Sequence, residues 1–232
     1  MRKLHTVKDV VTALKKSDGQ LTATDQEVAE ELDNCFQQMF TEEDGSGLDQ
    51  EEEDMNSGWL DNCIDFSPEA VMKLECLPMD KAPGPDGLHP MLLRSCAAVV
   101  AGPLSSIFKR SFDEGLVPSD WKTAHIIPIF KKSAKDDPAN YRPVSLMSVP
   151  CKVMESLVKD SVNAFLATKG SISVHQHGFM KGRSCLTNLL ESLEKWTQAL
   201  DEGFGVDVLY LDYRKAFDSV PHKRLLEKLK HT

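Results

Sequence analysis

The sequence predicts an α+β fold that is largely helical and contains a small antiparallel sheet. Apolar residues spaced three and four apart, most clearly over residues 149–168, predict amphipathic helices. Two runs rich in branched and aromatic side chains, 125–130 and 140–145, are separated by a polar loop, which predicts a hairpin. A third apolar run, Val208–Leu211, ends in Asp212 and predicts a further strand that is buried on both faces.

Composition sets the limits of what the chain can be. Its 232 residues are 41% hydrophobic, which allows a sizeable core. No apolar run approaches 18 residues, so no membrane span is predicted, and the N-terminus lacks the hydrophobic region of a signal peptide. The six cysteines are scattered without the spacing of a zinc or redox motif. We therefore interpret them as reduced, mostly buried thiols of an intracellular protein.

The net charge of −9 is unevenly distributed. Residues 1–80 carry 6 Lys and Arg against 20 Asp and Glu, which is −14, whereas residues 81–232 carry 21 against 16, which is +5. The later part could therefore face nucleic acid or nucleotide phosphates, and the first part could not. An excess of five charges over that length is also ordinary for a globular protein.

Residues 1–41 form a predicted N-terminal helical region in two segments. The first follows Val7, Val10, Val11 and Leu14, and the second begins at Thr24, an N-cap with Glu27 three residues later. Residues 42–65 then hold ten acids and no Lys or Arg, which predicts a disordered linker. The remaining residues, 66–232, form the main domain.

The main domain opens with a predicted helix at Ser67-Pro68-Glu69, whose buried face is Val71, Leu74 and Leu77. The loop Lys81–Pro90 follows, and its three prolines and two glycines favour a structural role, although Gly84 and Gly87 could let the backbone approach a partner. Helices are then predicted over 90–101 and 103–114, before the hairpin.

The hairpin carries basic residues on both sides of its loop. Lys131 and Lys132 close the first strand, and Arg142 opens the second, where Pro143 favours an extended backbone. Such a pair of strands can hold a polyphosphate, with arginine as a fork and lysine as a point charge. A simple solvated hairpin explains the same residues equally well.

Three features complete the chain. The loop with His175 and His177 contains no nearby acid or cysteine, so a loop without metal is expected. A second core helix is predicted over 186–200. After Pro221 a basic helix is expected to bury Leu225, Leu226 and Leu229.

Five stretches, in order, resemble the reverse transcriptase of non-LTR retrotransposons, the LINE-type elements of the jockey-like and chicken-repeat-like branches. They are Lys81–Gly87, Ile127–Lys132, Asn140–Leu146, Gln176–Phe179 with Gly182–Ser184, and Leu211–His222. The resemblance covers about residues 65–232. It implies a helical fingers region with the small sheet, followed by the first strand of a truncated polymerase palm.

The resemblance also implies an activity and a metal site. The family transfers a nucleotide from a deoxynucleoside triphosphate to the 3′-hydroxyl of a DNA primer on an RNA template, with two Mg²⁺ ions. Asp212 matches the first metal-binding aspartate, and the backbone carbonyl of Tyr213 is expected to assist. Oxygen ligands suit such ions.

Further site residues follow from the same motifs. Phe217 matches the aromatic residue that favours deoxynucleotides, and Arg142, with Lys131 or Lys132, matches the groups that meet the triphosphate. The nucleotide and templating base are expected beside Gln176, Gly178 and Phe179. Nucleic-acid contacts are expected from Lys181 and Arg183, whereas Met180 stands where the family commonly has a basic residue.

The downstream aromatic-Ala-Asp-Asp hairpin of the family has no match among the 232 residues. The one pair of adjacent aspartates, Asp136-Asp137, precedes Asp212 in a polar loop. We therefore expect that this chain alone does not polymerise and that about its last 30 residues are the least securely packed. The alternative hypothesis is a non-catalytic remnant that binds nucleic acid or protein. The oligomeric state stays open.

Overall fold

Seven α-helices and one antiparallel hairpin make up the described part of the chain, residues 11–40, 64–213 and 216–230 of a computed structural model. The helices are α1 Asp25–Gln37, α2 Pro68–Val71, α3 Pro90–Ser95, α4 Ala97–Asp113, α5 Val149–Thr168, α6 Cys185–Asp201 and α7 His222–Lys230. The strands are β1 Ala124–Phe130 and β2 Tyr141–Met147. The predicted α+β class is confirmed. The acidic linker lies almost entirely outside the described residues, so it stays a prediction.

The larger hydrophobic core lies where α2, α4 and α5 meet the short 3-10 helix Met72–Cys76. Phe108 of α4 is fully buried at its centre and contacts the rings of Phe66 and Trp121, with centroids 6.4 and 5.6 Å away. An ion pair at 2.5 Å between Lys73 and Asp160 joins the 3-10 helix to α5 at the rim of this core. The predicted start of α2 is confirmed, because Ser67 accepts the backbone N–H of Ala70.

The break between the next two helices falls elsewhere than predicted. The expected boundary near residue 102 is wrong, since α3 ends at Ser95 and Pro103 lies inside α4. Ala97 and Ala101 are each only 2% exposed and lie one turn apart on the buried face of α4. Burial along this continuous face therefore outweighs the one backbone hydrogen bond that Pro103 cannot donate.

The loop between α2 and α3 makes a close backbone contact at Gly84. A Cβ placed on Gly84 would lie 2.5 Å from the backbone carbonyl of Met147 and from the backbone nitrogen of Ser148. Only glycine fits at this point, where the loop crosses the end of β2 and the start of α5. The partner that Gly84 approaches is thus the chain itself, which supports the structural interpretation of the loop.

The hairpin presents two different faces. In its register Phe130 lies opposite Tyr141, and Ile129 lies opposite Arg142. Because side chains alternate along a strand, these two pairs lie on opposite faces. The face with Tyr141, which is 5% exposed, packs against α1 through a small cluster of Leu14, Leu32, Phe36 and Met39. The face with Arg142 points away from α1.

The segment before α1 is not helical over its described residues. Leu14 is fully buried in an extended turn that is held by Lys15, whose backbone nitrogen donates to the carbonyl of Asp136 at 2.7 Å. Lys15 also pairs with the Asp136 carboxylate at 2.8 Å, which lowers the pKa of that carboxyl. These contacts with a distant loop override the helical spacing. The predicted cap at Thr24 is confirmed by its hydrogen bond from the backbone of Glu27.

The last third of the chain forms its helices without burying them. The helices predicted over 186–200 and after Pro221 are present as α6 and α7, but α6 has no buried residue. The predicted strand at Val208–Leu211 is wrong, since these residues are irregular and Leu209 is 83% exposed. Within the described residues no third strand pairs with this run, and a strand without a partner is not stable. The leucines expected to be buried in α7 are exposed as well, namely Leu225, Leu226 and Leu229.

The cysteines are less buried than expected. Of the five in the described residues all are free thiols, but only Cys151 is buried, and Cys76 and Cys185 are exposed. Burial raises the pKa of the Cys151 thiol to about 11, so it is inert as a nucleophile. No helix among the described residues is both long and apolar enough to cross a bilayer.

Candidate nucleotide and nucleic-acid site

Three basic residues lie on the exposed parts of the hairpin. The backbone of Lys131 donates to the carbonyl of Asn140 at 2.9 Å and closes the hairpin, so Lys131 and Lys132 leave the sheet together with exposed side chains. Arg142 lies on the face turned away from α1, beside the half-exposed Ile129. None of the three forms a salt bridge within the described residues. The hairpin therefore offers three accessible cations.

The loop from 171 to 184 presents Phe179 to solvent. Its backbone has φ 59°, a left-handed conformation that is uncommon for a residue with a Cβ, and its ring is 93% exposed. The side-chain amide of Gln176 donates to the carbonyl of Gly178 at 3.4 Å, which folds the loop onto itself. Because strained backbone conformations cluster at functional sites, Phe179 is a candidate binding residue.

Phe179 contacts Phe217, the other aromatic residue that is predicted to lie against the nucleotide. Their ring centroids are 5.7 Å apart with an interplanar angle of 84°, an edge-to-face arrangement. Phe217 is itself 77% exposed. The structure thus brings together two predicted site residues from separate motifs, and both rings remain accessible.

The predicted metal ligands, Asp212 and Tyr213, are exposed. Asp212 and Tyr213 lie in an irregular segment, with Tyr213 77% exposed. Within the described residues no group of three His, Cys, Asp or Glu side chains is placed to hold a metal ion. Asp218, six residues later, lines a cavity of about 580 Å³ between α1 and the hairpin. The carboxylate chemistry therefore suits a divalent ion, but among the described residues the ligand set around Asp212 is incomplete.

The two basic residues predicted to meet nucleic acid differ in their surroundings. Lys181 is exposed, and no ion pair is formed by it in the described part of the chain. Arg183 is also exposed, but its guanidinium donates to the backbone carbonyl of Val174. Arg183 therefore closes the loop on itself and has fewer free donors for a phosphate.

A polar network behind this loop was missed at the sequence level. Glu191 accepts hydrogen bonds from His175, from His177 Nε2 at 2.8 Å and from Lys195 Nζ at 2.8 Å. Thr187 binds the other ring nitrogen of His177 at 2.9 Å. Thr187, Glu191 and Lys195 are spaced four apart on α6, and this spacing was the available signal.

The network shifts the pKa of its carboxyl strongly. Lys195, then His177 and His175, hold the pKa of Glu191 down to about 2, well below its ordinary value. Each of these partners favours the charged carboxylate by a hydrogen bond or by its positive charge. Glu191 is thus ionised near neutral pH.

Residues 129–232 match the model of a family described as reverse transcriptase (RNA-dependent DNA polymerase). The match begins in β1 and includes β2, the loop with Phe179 and the Asp212 segment. All the predicted site residues therefore lie inside the matched stretch.

Several curated relatives from Drosophila melanogaster are similar over longer stretches. The chain is 27% identical to the probable RNA-directed DNA polymerase from transposon BS over 91% of its length, which is 24% of that protein. It is 32% identical to the RNA-directed DNA polymerase from mobile element jockey, and 30% identical to the probable RNA-directed DNA polymerase from transposon X-element. Each of these two alignments covers 66% of this chain and 17% of the relative. The chain thus spans about a quarter or less of these relatives.

Proposed function

We propose that the chain is part of a reverse transcriptase of a non-LTR retrotransposon. Its residues 65–232 would supply the nucleotide-binding part of an RNA-directed DNA polymerase. The substrate would be a deoxynucleoside triphosphate, and the partners an RNA template and a DNA primer. The chain's own side chains would bind and orient the nucleotide. The similar proteins from Drosophila melanogaster are named as RNA-directed DNA polymerases, and the same activity is part of this proposal.

The observation that carries the proposal is the contact between Phe179 and Phe217. Two exposed rings at 5.7 Å, from motifs far apart in the chain, form an apolar corner. A base and its sugar can pack against such a corner because aromatic faces stack on any base. Phe217 would then lie against the sugar, where a 2′-hydroxyl would collide with the ring.

The basic residues would serve the phosphates. Arg142 can present two parallel N–H donors to a phosphate oxygen pair, and Lys131 and Lys132 add positive charge nearby. Lys181 would meet the backbone of the template or primer. Arg183 is assigned mainly to the shape of the loop, since it already donates to Val174.

Asp212 would provide one oxygen ligand to a divalent ion, Mg²⁺ in our proposal. When bound, such ions would activate the attacking hydroxyl and stabilise the leaving pyrophosphate. Within the described residues no group of three possible ligands completes a metal site. The 232 residues are expected to bind nucleotide and duplex but not to extend a primer.

The test measures binding of a fluorescent RNA–DNA primer-template by anisotropy at several salt concentrations. Arg142→Ala and Lys181→Ala should each weaken binding, and each lost phosphate contact should reduce the slope against log salt by about one. Arg110→Ala is the matched control, because Arg110 is exposed on α4 and pairs with Glu114 at 2.7 Å. Equal affinity for wild type, both variants and the control would refute binding at this surface.

A primer-extension assay separates the proposal from the non-catalytic alternative. With Mg²⁺, RNA template and dNTPs, the 232-residue chain should give no extension. If it extended the primer and Asp212→Ala abolished that activity, the expected inactivity of the isolated chain would be wrong. Duplex binding that is unaffected by added dNTP would favour the non-catalytic remnant.

A further inference from the structure

His177 is the one enclosed side chain in an otherwise open stretch of loop. It lies between Gln176 and Gly178, which are exposed, yet its own side chain is only 7% exposed. The ring is therefore directed inward against α6, while its neighbours face solvent. A residue in this position can fix the backbone on both sides of it.

Both ring nitrogens of His177 have partners on α6. Nδ1 meets the hydroxyl of Thr187 at 2.9 Å, and Nε2 meets the carboxylate of Glu191 at 2.8 Å. A carboxylate can only accept, so Nε2 carries a proton and donates it. Thr187 is itself fixed, since its hydroxyl oxygen accepts from the backbone of Ser184 at 2.9 Å in the capping box of α6.

Glu191 is the centre of this arrangement. Its second oxygen is held by Lys195 at 2.8 Å and by His175, so the carboxylate is fixed from three directions. Glu191 is 30% exposed and belongs to a helix without buried residues. The network therefore adds little to the core, and its contacts join α6 to the loop at His175 and His177.

We propose that Glu191 is a positioning residue that acts through His177 to hold Gln176, Gly178 and Phe179 in the geometry that binds the nucleotide. The proposal deepens the proposed function and rests on it for the effect on nucleotide affinity. The contact itself does not depend on that function. Glu191 touches no substrate in this scheme and differs in that respect from Phe179.

The experiment combines two measurements on the 232-residue chain. Hydrogen exchange followed by mass spectrometry reports the opening of residues 174–183, and calorimetry with Mg-dATP reports nucleotide affinity. The variants are Glu191→Ala, Glu191→Gln, His177→Ala and the double variant Glu191→Ala with His177→Ala. Glu194→Ala is the control, because Glu194 lies exposed on the same helix and forms no ion pair within the described residues.

Glu191→Ala should speed exchange in residues 174–183 only and weaken Mg-dATP binding on the order of tenfold. Glu191→Gln keeps the volume of the side chain and one acceptor. Its exchange rate and its Mg-dATP affinity should therefore lie between those of wild type and Glu191→Ala. The double variant should bind no more weakly than His177→Ala alone, because a residue that acts through another adds nothing once that other is gone. If Glu191 had a purely structural role, its loss would raise exchange throughout α6. The affinity losses of Glu191→Ala and His177→Ala would then add in the double variant.

Two results would overturn the proposal. The first is unchanged exchange in residues 174–183 on loss of Glu191, and the second is an additive loss of affinity in the double variant. If wild type bound no Mg-dATP while Glu191→Ala still opened this loop alone, the proposed function would fail and the positioning contact would stand.

Discussion

Two parts of the molecule are stabilised in different ways. The packed region, residues 64–168, buries Val71, Leu74 and Phe108 completely and contains the larger core. The exposed region, residues 171–213 and 216–230, leaves Leu189 and Leu209 65% and 83% exposed. Three of the five family-like motifs lie wholly or partly in the packed region, but both predicted aromatic contacts to the nucleotide lie in the exposed one. Substitutions of buried residues in the first region should therefore affect stability, and substitutions of the exposed aromatic residues in the second should affect binding.

The largest expected difference in the free energy of unfolding is between Phe108→Ala and Leu189→Ala. Phe108 is fully buried and its loss should cost about 3–5 kcal/mol, because both the burial and the filled volume are lost. Leu189 is largely exposed and its loss should cost within about 0.5 kcal/mol. Urea denaturation followed by circular dichroism gives both values. Similar losses for the two variants would show that α6 is as well packed as α4.

A smaller difference in stability is expected between alanine substitutions at two glycines of the packed region. Gly84→Ala should destabilise by about 1–3 kcal/mol, because the new Cβ would meet the backbone of Met147 and Ser148, which cannot rotate away. Gly102→Ala should stabilise by about 0.5–1 kcal/mol, since Gly102 lies inside α4 with open space around it. The shift in thermal midpoint of each variant is the measurement. A neutral Gly84→Ala would mean that the loop is free to move off the hairpin.

The smallest effect concerns Glu191 and pH in the exposed region. Its pKa is lowered to about 2 in the folded chain, so its contribution to stability is present above the ordinary value of 4.5 and is lost as the pH falls toward 2. The urea midpoints of wild type and Glu191→Gln should differ most near pH 6 and converge near pH 2.5. A difference that stayed constant across this range would refute the lowered pKa. The effect should be small because the carboxylate is partly solvated.

Local signals in the sequence predicted much of this fold. The cap at Thr24, the start at Ser67 and the hairpin are all confirmed, because each depends on residues that are close in the chain. Leu14 differs, since its turn is fixed by Asp136 more than a hundred residues later. The run at Leu209 has the pattern of a buried strand, but burial requires a partner that a local pattern does not supply.

The residues of the candidate site could be predicted from the sequence, but the side chains that hold its loop in place could not. The motifs point to Phe179 and Phe217, and the structure adds that they touch. Glu191 and Thr187 escaped notice because glutamate and threonine on a polar helix face are common. Only the fold brings them to His177.

The most direct test of nucleotide binding at this surface is photo-crosslinking of the 232-residue chain with 8-azido-dATP and Mg²⁺, followed by peptide mapping. Because the azide is on the base, label should appear on the peptides that contain Phe179 or Phe217, and unlabelled dATP should compete it away. Label confined to α4 or α5, or label that dATP does not displace, would contradict nucleotide binding at the aromatic pair.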